Sequence, residues 1–264
     1  MTYQERVSSL RRRLRELKSA VVAFSGGVDS SVLVVVAYEE LKEKMCAATA
    51  ISPSMPVRDQ KLAITFCGER NIPHSLVETK EFENPVYNSN PNNRCFYCKS
   101  ALYDRLTDVM HEKGFEHIVE GTNTSDLSTH RPGYRASCER THVVTPLIDA
   151  GMTKEDVRRL ARELSLPVAD KPATACLASR VPEGVPLQPD LLKKIDDAEE
   201  VIRSYGITQV RVRHHGNLAR IEVLPGDFNQ CLKNHGAITK ALNQLGYQFV
   251  TLDLLGYRCG GAAS

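Results

Sequence analysis

The sequence predicts an α/β protein: a doubly wound parallel sheet with a smaller α+β unit behind it. Three observations carry that expectation. Strand-length apolar runs alternate with helix-length amphipathic runs as far as about residue 183, the pattern of parallel strands joined by helical crossovers. The first strand runs straight into a glycine-rich turn and a helix start at Ser25-Gly26-Gly27-Val28-Asp29-Ser30-Ser31. From Gly184 the order changes to helix, strand, strand, helix, strand, which suits a ferredoxin-like unit. The expected domains are therefore 1–183 and 184–264, and a chain of 264 residues fits two domains at roughly 150 residues each.

The elements follow in order. Tyr3 to Lys18 places Leu10, Leu14 and Leu17 at helical spacing, with Arg11, Arg12, Arg13, Arg15 and Lys18 between them. A solvated basic face explains this better than an RNA-binding stripe. Ala20 to Phe24 is a buried strand, and Ser30 to Lys44 a helix packed by Val32, Leu33, Val36 and Leu41. Met45 to Ile51 is a strand, Val57 to Arg70 a helix and His74 to Glu78 a strand. The Asn-rich stretch Asn88 to Arg94, with Pro91 in its middle, reads as an exposed loop that delivers Cys95-Phe96-Tyr97-Cys98 to a helix running to Lys113. Glu116 to Glu120 is a strand ending in Gly121-Thr122-Asn123-Thr124-Ser125-Asp126, and His130-Arg131-Pro132-Gly133 follows in the same long loop. Arg131 there is either solvated or set to meet a phosphate or carboxylate. Val143 to Leu147 leads to a helix with Thr153 as N-cap and Asp156 at the capping-box position. Beyond the boundary, helices are expected over Leu191–Tyr205 and Asn229–Leu245 and strands over Thr208–His214, Leu218–Leu224 and Gln248–Leu254. The tail Cys259-Gly260-Gly261 is expected to fray.

Bulk properties narrow the function classes. A net charge of +2 is too near balance to argue for nonspecific nucleic-acid binding. No apolar run approaches the ~18–20 residues of a membrane span, and the charged N-terminus lacks a signal-peptide core. A cytoplasmic protein is expected. Its eight cysteines then read as thiols, metal ligands or redox groups rather than a disulfide framework.

The glycine-rich turn is a phosphate cradle. Gly26 and Gly27 remove side chains where the turn is tightest, so the backbone N–H groups of Gly26 to Ser30 converge on an anion at a positive helix start. Ser25, Ser30 and Ser31 add hydroxyl donors. The turn lacks the Gly-Lys-Ser/Thr ending of a Walker loop. Asp29 stands near the bound phosphates or a metal on them, or is an acid favoured by the helix dipole. In parallel sheets ligands sit beyond the carboxyl ends of the strands, which brings Ala50 to Ser52, Ile51 among them, to the border of the ligand and Gly121 to the mouth of the site.

Cys95 and Cys98 form a C-x₂-C pair, and Cys176 stands between Pro172 and Pro182 among small residues. A structural zinc site, a disulfide and an iron–sulfur cluster on three thiolates all remain open; zinc needs a fourth ligand, and three thiolates leave one iron without a protein ligand. Cys46, Cys67, Cys231 and Cys259 read by default as small buried hydrophobes. Arg211 and Arg213 lie at i and i+2 on one strand and share a face. Two parallel guanidinium groups suit phosphate or carboxylate, unless the strand face is simply solvated.

Ser25-Gly26-Gly27-Val28-Asp29-Ser30 resembles the SGGxDS signature of N-type ATP pyrophosphatases, which cleave ATP to AMP and pyrophosphate while adenylating a substrate oxygen. Added to it are Asn93-Arg94-Cys95-Phe96-Tyr97-Cys98-Lys99, Glu120-Gly121-Thr122-Asn123, Arg131-Pro132-Gly133 and Lys171-Pro172-Ala173 through Cys176-Leu177-Ala178-Ser179-Arg180. With these, essentially the whole chain resembles the LarE family of sulfur transferases. The resemblance implies an adenine nucleotide alpha hydrolase-like (PP-loop) domain that uses ATP and Mg²⁺. It implies adenylation of a carboxylate of pyridinium-3,5-biscarboxylic acid mononucleotide and its conversion to a thiocarboxylate, as in nickel-pincer nucleotide biosynthesis. Some members carry only the equivalent of Cys176 and sacrifice its sulfur. With Cys95 and Cys98 as well, this chain looks like the type that bears a [4Fe–4S] cluster on three cysteines and takes sulfide from a donor. The resemblance further implies substrate contacts at Ser179, Arg180, Arg211 and Arg213 and a homo-oligomer. A tRNA thiolase and an ammonia-using amidating synthetase share the ATP motif and are the competing readings.

Overall fold

The computed structural model describes residues 1–128, 132–172 and 175–258. The chain forms two compact units: Met1–Tyr87 with Asn92–Thr174, and Asn88–Pro91 with Ala175–Ser264.

The elements of the first unit are α1 (Tyr3–Glu16), β1 (Ala20–Ala23), α2 (Val28–Leu41), β2 (Met45–Ile51), α3 (Val57–Glu69), β3 (His74–Glu78), α4 (Pro85–Asn88), α5 (Arg94–Glu112), β4 (His117–Val119), α6 (Pro132–Cys138), β5 (Val143–Val144), α7 (Pro146–Asp149) and α8 (Lys154–Glu163). The five strands pair in the order β3-β2-β1-β4-β5, all parallel. Side chains alternate between the faces, as the twofold strand repeat requires. Ala20, Val22, Met45, Ala47 and Val119 join the core built with α1, α2 and α8. Val21, Ala48 and Ile118 join the core built with α5 and α6. The sheet is thus covered on both sides, as expected for a doubly wound fold.

One local detail refines the sequence reading. The run Val143–Leu147 divides: β5 stops at Val144, and Pro146 begins α7; a proline has no N–H for the ladder but fits the first helical turn. Thr153 is the N-cap of α8 and closes the expected reciprocal capping box with Asp156. Most arginines of α1 have acidic partners. Arg6 pairs with Asp156 at 2.8 Å, Arg11 with Glu40 at 3.0 Å, Arg13 with Asp149 at 2.9 Å and Arg15 with Glu40 at 2.7 Å.

The second unit contains α9 (Pro189–Arg203), β6 (Val210–His215), β7 (Leu218–Val223), α10 (Phe228–Lys233), α11 (His235–Gln244) and β8 (Phe249–Leu252). Its sheet runs β6-β7-β8, with β6/β7 antiparallel and β7/β8 parallel. The expected order of elements therefore closes into a mixed three-stranded sheet. One face buries Val210, Val212, Ala219, Ile221 and Val223 with residues of α9 and α11. No described helix in either unit is long and apolar enough to cross a membrane.

The stretch expected as an exposed loop at 88–94 contains a fully buried residue. Asn90 has 0 % exposure, takes a left-handed φ of 56°, and donates from Nδ2 to the carbonyls of Pro182 at 2.7 Å and Val185 at 3.1 Å. Its polarity serves the protein's own backbone, which is why Asn88–Pro91 belongs to the second unit. Asn90→Ala should leave these carbonyls unsatisfied and cost about 1–3 kcal/mol. The check is the urea midpoint; an unchanged midpoint would deny the amide this role.

Candidate active site

The cradle forms because β1 ends where a helix must begin. Gly26 adopts φ +70° and Gly27 is the N-cap of α2 with no side chain to occupy the first turn. The N–H groups of that turn have no helical partners and so face outward. The Ser25 and Ser30 hydroxyls lie 3.2 Å apart, and Ser30 Oγ donates to the Gly27 carbonyl at 3.1 Å. The chain leaving β4 passes close by: a Cβ at Gly121 would lie 3.4 Å from the Ser30 nitrogen. These segments line a cleft of about 500 Å³, walled by Ser25, Gly27, Asp29, Ser30, Gly121 and Thr122 on one side. Phe24, Ala48, Ala50, Met55 and Leu102 supply apolar surface suited to a flat base.

Asp29 is fully engaged. One carboxylate oxygen pairs with the Lys154 ammonium, and the other accepts from Asn123 Nδ2 at 3.1 Å. Lys154 is aimed by its place at the start of α8, where its backbone N–H donates to Ser125 Oγ at 3.1 Å. Asn123 is held in turn by Asp126, which accepts from its Nδ2 at 2.9 Å. The phosphate cradle thus carries a built-in cation. Lys171, in the segment that leads toward Cys176, pairs with Asp59 at 3.1 Å.

The opposite wall is the start of α5. Cys95, Lys99 and Leu102 face the cleft, joined by Gly133 and Tyr134 from α6. A Cβ at Gly133 would come within 3.1 Å of Lys99 Cγ, so the absent side chain lets α6 lie against α5. Lys99 Nζ lies 3.9 Å from the buried Glu120 carboxylate and 5.5 Å from the Tyr103 ring centroid. Tyr103 most of all, then Glu120, hold the Lys99 ammonium well above its ordinary pKa against the opposing effect of burial. It remains a cation throughout the neutral range. Cys95 is exposed and Cys98 half-buried, and both are thiols rather than a disulfide.

Cys176 belongs to the second unit. It is half-buried and precedes a 3₁₀ turn over Leu177–Arg180. Arg180, expected as a substrate contact, is engaged within the protein. It bonds Glu199 at 2.8 Å and 3.3 Å and donates to the carbonyls of Ala175 at 2.6 Å and Cys176 at 3.0 Å. Glu199 has 0 % exposure; it also accepts from Arg203 at 2.7 Å and from the Val212 backbone at 3.2 Å. Arg213 is likewise occupied: it grips Glu222 at 3.0 Å and 3.1 Å and donates to the Ser179 carbonyl at 2.7 Å. Arg211 differs. It is 4 % exposed, and burial, with help from Arg180 and Arg213, pulls its pKa down. The expected pair of equivalent guanidinium groups is therefore one arginine in a buried ion pair and one without an ion pair among the described residues.

Comparison with known proteins settles the family. The NAD synthase family model matches residues 2–200. The chain belongs to the NAD synthase family. As a member it is an ATP pyrophosphatase-type enzyme. It is 39% identical over 259 residues to slr1717 of Synechocystis sp., covering 97% of this chain and 96% of that one. It is 31% identical over 262 residues to the pyridinium-3,5-bisthiocarboxylic acid mononucleotide synthase of Lactiplantibacillus plantarum, covering 98% and 94%. MJ0830 of Methanocaldococcus jannaschii is 28% identical over 261 residues, covering 98% and 99%.

Within this family site, the sequence-derived residues divide. Ser25, Gly27, Asp29, Ser30, Gly121 and Cys95 share the cleft. Of the expected Ala50–Ser52 stretch, Ala50 lines the cleft with Met55 beside it, and Ile51 is not among the lining residues. Ser31, within α2, is fully buried, its hydroxyl has no partner among the described residues, and it does not line the cleft. His130, Arg131, Ala173 and Cys259 lie outside the described residues. Among the described residues no three His, Cys, Asp or Glu side chains converge as a metal site; Cys95 and Cys98 stand in one unit and Cys176 in the other. Sequence reading missed Lys99, Lys154 and Glu199. Only Glu199 left a signal: it falls on the apolar stripe Leu192, Ile195, Ile202 of α9, where an acid must have a partner.

Lys154→Met should slow ATP-to-pyrophosphate turnover ~10²-fold, the scale of losing one charge-stabilising donor. Steady-state pyrophosphate release measures it, and an unchanged rate would remove Lys154 from the site.

Proposed function

We propose that the protein is an ATP-dependent sulfur transferase acting on pyridinium-3,5-biscarboxylic acid mononucleotide, converting a carboxylate to a thiocarboxylate. The observation that supports this reading is the opening of Cys95 into the cleft that holds the phosphate cradle. ATP activation and sulfur chemistry then share one cavity.

The chain's own residues divide the work. The first-turn N–H groups of α2 with Ser25 and Ser30 hold the β- and γ-phosphates. Asp29 would hold Mg²⁺, which would share the charge of the phosphates, with Lys154 turned from the carboxylate to the phosphates. A substrate carboxylate oxygen attacks the α-phosphorus, the bond to the bridging oxygen breaks, and pyrophosphate leaves with that electron pair. Lys99 offers a permanent cation to the acyl adenylate at the other end of the cleft. A sulfur nucleophile then adds to the acyl carbon, and AMP departs with the carboxylate oxygen.

The donor set fits an iron–sulfur cluster in its chemistry, since Cys95 and Cys98 are thiols one helical turn apart and thiolates are the cluster's normal ligands. Cys95, Cys98 and Cys176 would hold it, and when bound it supplies sulfide from the iron that lacks a protein ligand. Arg180 and Glu199 fix the backbone at Cys176, and Arg211 takes an anionic group of the substrate. A homo-oligomer accords with the same reading.

The competing tRNA thiolase needs a basic surface for nucleic acid. Of the arginines of α1 that offered one, Arg11 and Arg15 pair with Glu40 and Arg13 with Asp149. Protein purified without oxygen should carry about four irons per chain, and with ATP, sulfide and the pyridinium mononucleotide it should yield AMP, pyrophosphate and thiocarboxylate. One zinc and no iron would overturn the cluster, and amide formation with ammonia would overturn sulfur transfer. Cys176→Ala should abolish thiocarboxylate formation yet spare pyrophosphate release; retained thiocarboxylate would remove Cys176 from the chemistry.

A further inference from the structure

The polar face of the second sheet carries three arginines and one buried glutamate. Arg213 and Arg220 both bond Glu222, Arg220 at 3.2 Å. Arg220 also lies 3.6 Å from Asp253. The described residues give Arg211 no ion pair. Among the described residues its guanidinium makes one hydrogen bond, a long one of 3.5 Å to the Arg258 carbonyl, and its guanidinium carbon lies 4.6 Å from the centroid of the Tyr257 ring.

The ring is placed there by a specific turn. Asp253 leaves β8 bonded to the Ile221 carbonyl at 2.8 Å, Gly256 donates back to Asp253 at 2.9 Å, and Tyr257 rejoins β7 by donating to Val223 at 2.8 Å. Gly256 has φ +69°, and a Cβ there would sit 2.9 Å from the Val223 carbonyl oxygen. Only glycine makes this return, and the return sets the tyrosine against the arginine.

We propose that Tyr257 is a positioning residue for an anion subsite at Arg211, its ring face fixing a buried guanidinium whose charge the protein leaves for the substrate's phosphate or carboxylate. A carboxylate partner would have neutralised Arg211, as Glu222 neutralises Arg213. An aromatic face orients a guanidinium without cancelling its charge. The inference rests on reading this unit as substrate-binding.

Steady-state kinetics with ATP and pyridinium-3,5-biscarboxylic acid mononucleotide test it. Tyr257→Leu should raise KM for the mononucleotide ~10-fold, the scale of a desolvated cation–π contact, while kcat and KM for ATP hold. Tyr257→Phe should restore KM, because the ring and not the hydroxyl makes the contact. Tyr257→Gln, which keeps a polar end but no ring, should behave as the leucine variant and serves if that variant does not fold. Arg211→Gln separates the two levels. If it raises KM while the leucine and glutamine variants do not, the subsite stands and the role of Tyr257 is overturned. If Arg211→Gln itself leaves KM unchanged, the substrate reading of the unit fails and the proposal with it.

Discussion

A parallel sheet sends the carboxyl ends of all its strands to one edge, and the first unit depends on that constraint. β1 delivers the cradle, β2 delivers Ala50, and the loop after β4 delivers Gly121 and Asn123. Each strand end is a different segment of sequence, yet parallel pairing in one register brings them to the same place. Turns at that edge must be small or polar, because backbone groups there have no sheet partner. Glycine supplies the first property at Gly26 and Gly121. The Asn123–Asp126 and Ser125–Lys154 bonds supply the second.

Charge is handled in opposite ways in the two units. In the first, Asp29 is balanced by a half-exposed side chain, Lys154, and by the amide of Asn123. In the second, Glu199 and Glu222 are fully buried and each is satisfied by more than one guanidinium. Removing one partner of such a network strands a buried charge, so these acids fix geometry. Arg180 spends its N–H groups on Glu199 and on the backbone around Cys176. The consequence for function is a cysteine held by a rigid anchor rather than by the packing of its small neighbours.

Much of the fold was legible because it rests on periodicity. The alternation of Val21 and Val22 between cores, the stripe Leu10, Leu14 on α1, and the capping box at Thr153 are local facts that sequence displays directly. The cradle was legible because a glycine pair between strand and helix has few other uses. What stayed hidden depends on long-range pairing. Nothing near Lys154 announces Asp29, and nothing near Asn90 announces the carbonyls of Pro182 and Val185. The Arg-x-Arg pattern on β6 gave the shared face of Arg211 and Arg213 correctly. It could not give their inequality, since that arises from Glu222 on the neighbouring strand and Tyr257 beyond β8.

That inequality also argues about substrate recognition. If both arginines were free, the face would attract any polyanion, ATP included, and the nucleotide would compete with the substrate. Neutralising Arg213 through Glu222 leaves one buried cation with a defined direction. A single guanidinium held against an aromatic face suits one planar or tetrahedral oxyanion, not a triphosphate chain. In the proposed function the triphosphate falls to a cradle of backbone N–H groups and the Lys154 ammonium in the other unit. Discrimination between the two anions in that reaction would follow from where charge lacks an ion-pair partner, not from how many basic residues the chain contains.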